Sequence, residues 1–129
     1  MKTVLNNILY VEDDPRIQTI TRLTLEKIGG FNVKVCSSGK EALNAISEFK
    51  PELLLLDVMM PDMDGPTTLL ALRRIQGYEN IPGIFITAKA QYQEIDSYKE
   101  YNILDVISKP FDPMTLSASI RAIWEKNNG

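Results

Sequence analysis

The side chains capable of chemistry fall in four short places. Glu12 and Asp13 follow the apolar run ILYV, Asp57 follows four consecutive leucines, Thr87 closes IFIT, and Lys109 stands before Pro110. The 129-residue sequence has no histidine, which removes Ser/His and Cys/His triads, imidazole bases and histidine-ligated metals. Any reaction must run on carboxylates, hydroxyls and amines. The single cysteine, Cys36, excludes an internal disulfide, suits a reducing compartment and reads as a structural thiol beside a strand.

Glu12, Asp13 and Asp57 would crowd one sheet edge if their strands were neighbours. Like charges about 4 Å apart repel by about 4 kcal/mol at an effective dielectric of about 20, so such a cluster calls for a cation. Magnesium is the expected cofactor, because it takes a few carboxylate and carbonyl oxygens and shares its shell with a substrate phosphate. Beside a metal and an amine, one carboxylate becomes a nucleophile toward phosphorus and forms an aspartyl phosphate. That transfer depends on positioning and neutralisation of charge, so a missing imidazole is no obstacle. Lys109 supplies a second positive charge, Thr87 a hydroxyl donor, and the backbone N–H groups after Asp57 further donors. Asp57 is the expected acceptor.

The elements that must position these groups follow from periodicity. Short apolar runs (ILYV, FNVKV, ELLLLD, IPGIFIT, LDVIS) alternate with longer amphipathic stretches, which predicts five strands and five helices. Pro15 near the start and Gly29-Gly30 past the end delimit the first helix; Ser38 and Glu41 have capping-box spacing for the second. A third helix is expected from about Pro66 to Ile75, a weaker one across residues 91–101, and a last one from Pro113. Near-continuous apolar strands mark a parallel sheet covered on both faces. In such open sheets ligands bind beyond the carboxyl ends of the strands, where strand order reverses. All four chemical segments lie at strand ends.

Composition narrows the classes further. Hydrophobic residues at 44% and charged residues at 24% suit a globular domain, and the length suits one domain. A net charge of −3 argues against a nucleic-acid surface. No apolar run approaches the roughly 18 residues of a membrane span, so no membrane is expected and the cytoplasm is the default.

The segments ILYVEDDP, LLLLDVMMPDMDG, ITA and SKPF agree in content, order and spacing with the receiver domain of bacterial two-component response regulators, particularly the single-domain chemotaxis kind. The chain resembles that family over nearly its whole length, which implies one receiver domain over residues 1–129. It also implies a doubly wound, flavodoxin-like α/β fold with strand order 2-1-3-4-5. By resemblance, Asp13 is a direct Mg2+ ligand, Glu12 acts through water, and the Met59 backbone carbonyl completes the protein's ligands. Asp57 receives phosphate from a sensor histidine kinase or phosphotransfer protein, Thr87 and Lys109 turn to it, and Pro61 and Gly65 shape the following turn. The acyl phosphate then biases a two-state arrangement of loops. A downstream protein reads the face made by the predicted fourth helix, the fifth strand and the last helix. Val106 stands where the family often has an aromatic residue. Met59 and Lys89 flank the acceptor, and a large apolar group at 59 is expected to block an in-line water and prolong the phosphoryl state.

Other readings are available. Asp13 or Asp14 alone reads as a helix cap, and Lys109 alone as a loop lysine. DMDGPT, from Asp62, mimics a haloacid-dehalogenase nucleophile motif, but Met59, Met60 and Pro61 separate it from the strand. An EF-hand loop with Gly65 sixth would place Met60 and Ala71 at its two end ligand positions. A receiver-like interaction module that makes no use of phosphate is the alternative function. Tyr92, Tyr98 and Tyr101 are candidate partner anchors, with at least one expected in the core.

Overall fold

The computed structural model describes residues 4–88 and 97–128. Five strands, β1 (Asn7–Val11), β2 (Asn32–Cys36), β3 (Leu53–Asp57), β4 (Gly83–Thr87) and β5 (Asp105–Ser108), form one sheet. All neighbouring pairs are parallel and the order is β2-β1-β3-β4-β5, as the resemblance implied. Among the described residues there are four α-helices: α1 (Pro15–Lys27), α2 (Gly39–Phe49), α3 (Gly65–Leu72) and α4 (Pro113–Asn128). The helix expected across residues 91–101 lies mainly outside the described residues; its described end closes in a 3-10 turn, Lys99–Tyr101.

The leucine run is explained by layers on both sides. Successive strand residues face opposite sides of a sheet. Leu53 and Leu55 accordingly join Ile8, Tyr10, Ile84 and Ile86 in a core closed by Leu25 of α1 and by Leu116, Ile120 and Trp124 of α4. Leu54 and Leu56 join Leu9, Val11 and Phe85 beneath Ala42 and Ile46 of α2 and Leu69 and Leu72 of α3. With no solvent face on β3, there is no polar alternation in its sequence.

Helix ends follow the expected side-chain chemistry. Asp14 caps α1 by accepting the Arg16 N–H at 2.9 Å, with Pro15 in the first turn. Ser38 Oγ accepts the Glu41 N–H, while the Glu41 carboxylate takes the N–H of Ser37, one residue earlier than the predicted reciprocal bond. Asp64 accepts the Thr67 N–H at 2.8 Å and caps α3, so the DMDGPT motif is a loop and helix cap rather than a strand-end nucleophile. Gly30, at φ +70°, turns the chain out of α1. Just past α3, the Arg73 guanidinium donates to the carbonyls of Ile81 (2.9 Å), Asn102 (3.1 Å) and Tyr101. This joins the turn before β4 to the turn before β5. Tyr98 and Tyr101 meet Phe85 edge-on, with ring centroids 5.2 and 5.9 Å away, a favourable arrangement for aromatic quadrupoles.

Leu55 is fully buried in the central strand. Leu55→Ala is expected to lower the unfolding free energy by about 2–5 kcal/mol, read as an earlier midpoint in urea denaturation with an unchanged slope.

Candidate functional site

Register brings the acids together. Val11 pairs with Leu56 across β1 and β3, so Glu12 and Asp57 are the next pair along, at the strand ends. Asp57 pairs with Ile86, and Thr87 with Ser108, which carries the same edge across to Lys109. Strand alternation puts Glu12 and Asp57 in phase with Tyr10 and Leu55, toward the side covered by α1 and α4. The order reverses between β1 and β3, since β2 lies outside β1, and a crevice is expected at such a reversal.

Oxygens of Glu12, Asp13 and Asp57 lie within 4.8 Å of one another. Glu12 and Asp57 are buried, at 1% and 3% exposure, while Asp13 is exposed. Lys109 reaches both buried acids, with Nζ at 2.9 Å from Glu12 Oε1 and 3.2 Å from Asp57 Oδ2. Its backbone N–H donates to the Thr87 carbonyl at 2.9 Å. Thr87 is buried at the end of β4. The Met59 N–H donates to Asp57 Oδ1 at 3.4 Å, and the Met59 side chain is 59% exposed. Glu12, Asp13, Asp57, Thr87 and Lys109 therefore come to one edge. Lys89 and Tyr92 lie outside the described residues.

The electrostatics follow from burial and crowding. Burial pushes the Glu12 carboxyl up to about 7; the neighbouring Asp57 charge adds to this, while Lys109 and the Asp14 N–H oppose it. For Lys109, burial favours the neutral amine, but the Glu12 and Asp57 carboxylates outweigh it and raise its pKa. With all groups ionised, three carboxylates face one ammonium. The donor set is all oxygen and its charge is unbalanced, which fits a hard divalent cation.

Two neighbouring residues shape the site. An ideal Cβ on Gly65 would lie 2.6 Å from the Asp57 carbonyl oxygen and 3.0 Å from Val58 Cα, so only glycine lets α3 begin against the acceptor strand. The Gly65 N–H donates to the Val58 carbonyl at 3.0 Å. Gln18, which sequence reasoning missed, donates its amide to the Glu12 carbonyl and to Ser37 Oγ at 3.0 Å. It ties the loop after β1 to the loop after β2. A lone glutamine on a helix carries no motif, and its role is visible only once the two loops are seen side by side. Cys36 is structural: its carbonyl accepts the Glu12 N–H at 3.0 Å, and burial, with Glu41 adding, pushes its thiol up to about 11.

This fold and this edge define a class. Residues 8–121 match the family model for the response regulator receiver domain, and the chain belongs to that family. It is 35% identical over 98% of its length to the DNA-binding response regulator MtrA of Mycolicibacterium smegmatis, of which it covers 54%. It is 37% identical over 93% of its length to the transcriptional regulatory protein CseB of Streptomyces avermitilis, of which it covers 49%. The chain thus spans about half the length of these curated relatives. Among solved structures, the Vibrio cholerae chemotaxis protein CheY4 is similar at a TM-score of 0.84 and 25% identity, over 93% of this chain and 99% of that one. No helix among the described residues is long and apolar enough to cross a membrane.

The close approach at Gly65 meets backbone, which has no rotamer to yield. Gly65→Ala is expected to cost about 1–3 kcal/mol, seen as a lowered thermal midpoint, and to shift the Asp57 and Val58 amide resonances.

Proposed function

We propose that this receiver domain, spanning residues 1–129, is switched by phosphorylation of Asp57 in a two-component phosphorelay. The observation that carries the reading is the convergence of the Glu12, Asp13 and Asp57 carboxylates at one edge with Lys109 on Asp57 Oδ2. Asp57 enters as a carboxylate and needs no base. One of its oxygens forms the new bond to phosphorus as the P–N bond of a donor phosphohistidine breaks, and the bonding pair leaves with the imidazole. The donor is a sensor histidine kinase or a phosphotransfer protein.

Glu12, Asp13, Asp57 and the Met59 carbonyl would hold Mg2+, which supplies charge neutralisation to phosphoryl oxygens when bound. Lys109 already sits on Asp57 and is placed to follow the charge as it grows, and Thr87 ends the neighbouring strand. An acyl phosphate carries more negative charge than the carboxylate it replaces, so Lys109 redistributes from Glu12 toward it and moves the β5–α4 loop. A downstream protein would read the face formed by residues 97–101, β5 and α4. The receiver would work in the cytoplasm, without direct contact to nucleic acid, in keeping with its net charge of −3. Met59 at the mouth of the site would slow the approach of water to the phosphoryl group.

Labelling by acetyl phosphate is expected only with Mg2+ present and is expected to vanish in Asp57→Asn. Undiminished labelling of that variant would move the acceptor elsewhere. An absence of any response of the native chain to beryllofluoride with Mg2+ would instead favour a phosphate-independent interaction module.

Gln18 acts on the acid corner through the Glu12 backbone. Outer-shell partners of this kind typically tune metal affinity by 10–100-fold, so Gln18→Ala is expected to weaken Mg2+ binding by about tenfold, measured by calorimetry with no phosphodonor present.

A further inference from the structure

β5 is an outer strand of the sheet and the only one of the five in which no residue is buried. It pairs with β4 alone, and the bond from the Leu104 N–H to the Gly83 carbonyl, at 2.8 Å, begins that pairing. The chain arrives there through the 3-10 turn Lys99–Tyr101 and Asn102. Tyr98, Tyr101 and Ile103 of this lead-in pack half-buried against the core, the two tyrosines on Phe85. Few buried contacts beside an open sheet edge mark a segment that opens apart from the rest of a fold. Arg73 compensates for them. From the end of α3 its guanidinium donates to the Tyr101 and Asn102 carbonyls and, on the other side, to the carbonyl of Ile81 before β4.

Carbonyls at the end of a helical turn lack partners within it and carry partial negative charge, so a cation suits them. Bonds from a charged donor are also the stronger kind. Against them stands the cost of taking a guanidinium out of water, since burial works against the Arg73 charge and no carboxylate pairs with it among the described contacts. Opening returns that charge to solvent. We propose that Arg73 is a latch: residues 98–104 detach together from β4 and α3 while the rest of the sheet stays paired, and the grip of Arg73 on two of their carbonyls sets how often they do so. Detachment takes both tyrosines off Phe85, so the face formed by residues 97–101, β5 and α4 has a closed and an open form. Only the meaning of this for a partner rests on the function proposed above; the latch itself operates with Asp57 unmodified.

Amide hydrogen exchange of the isotope-labelled full chain is followed by NMR in urea below the unfolding transition, with no metal or phosphodonor present. The Leu104 amide, whose bond to Gly83 breaks on detachment, is expected to exchange at least about tenfold faster than the Val58 amide, which donates to Ile86 between β3 and β4. Its rate is expected to depend little on urea, because the opening exposes little surface. Arg73→Gln is expected to speed Leu104 by about tenfold more, and Arg74→Gln, at the adjacent exposed position, to leave it unchanged. Arg73→Lys keeps the charge, reaches fewer carbonyls and is expected to speed Leu104 to a lesser degree; it decides the matter if Arg73→Gln does not fold. The proposal is overturned if Leu104 exchanges no faster than Val58 or with the same steep urea dependence, if its rate is unchanged in the Arg73 variants that fold, or if Arg74→Gln speeds it equally. Loss of Asp57 labelling would leave these rates as they are, so the latch and the phosphoryl acceptor fail separately.

Discussion

Carboxylates gathered at the ends of two adjacent strands repel one another, and burial withdraws the water that would screen them. The folded chain bears this cost because Lys109, reaching from the end of β5, lies within 3.2 Å of both buried acids. Neutralisation remains partial, since Asp13 adds a third carboxylate that Lys109 does not reach in the contacts described. The result is a site held short of electrical balance, with a buried glutamic acid whose proton affinity lies near neutrality. A newly arriving charge therefore acts on groups already poised between partners, so a small chemical change can rearrange them.

The sheet delivers this arrangement through order and register alone. Placing β2 outside β1 leaves β1 and β3 side by side, and one step beyond the last pair, Val11 and Leu56, the two acids face each other. The hydrophobic layers on both sides bury the strands, while the chemistry occupies their last residues and the loops just beyond them. Gly65 closes the arrangement from below by letting α3 start in contact with the acceptor strand. Gln18 closes it from the side by bridging the loops after β1 and β2 just beyond the backbone bond from Glu12 to Cys36.

Much of this was legible in the sequence because it is written in local pattern. Apolar runs ending in acid, threonine and lysine marked the strands and their functional ends together, and caps at Asp14, Ser38 and Asp64 follow from residue type. The helix expected across residues 91–101 could be compared only at its end. What escaped depended on side chains that bridge distant segments: Gln18, the Arg73 fork, and the reach of Lys109 to Glu12 as well as to Asp57. None of these has a periodic signature, because each is selected by a distance that exists only after the strands have paired.

Arg73 also limits how this chain can vary. A planar guanidinium meets three carbonyls from two separate turns, a task for which an ammonium has neither the span nor the fixed fork. Adjacent Arg74 shows no such engagement among its described contacts. In a library of natural or artificial variants, lysine should therefore be common at position 74 and nearly missing at 73, though the two arginines stand next to each other and carry the same charge.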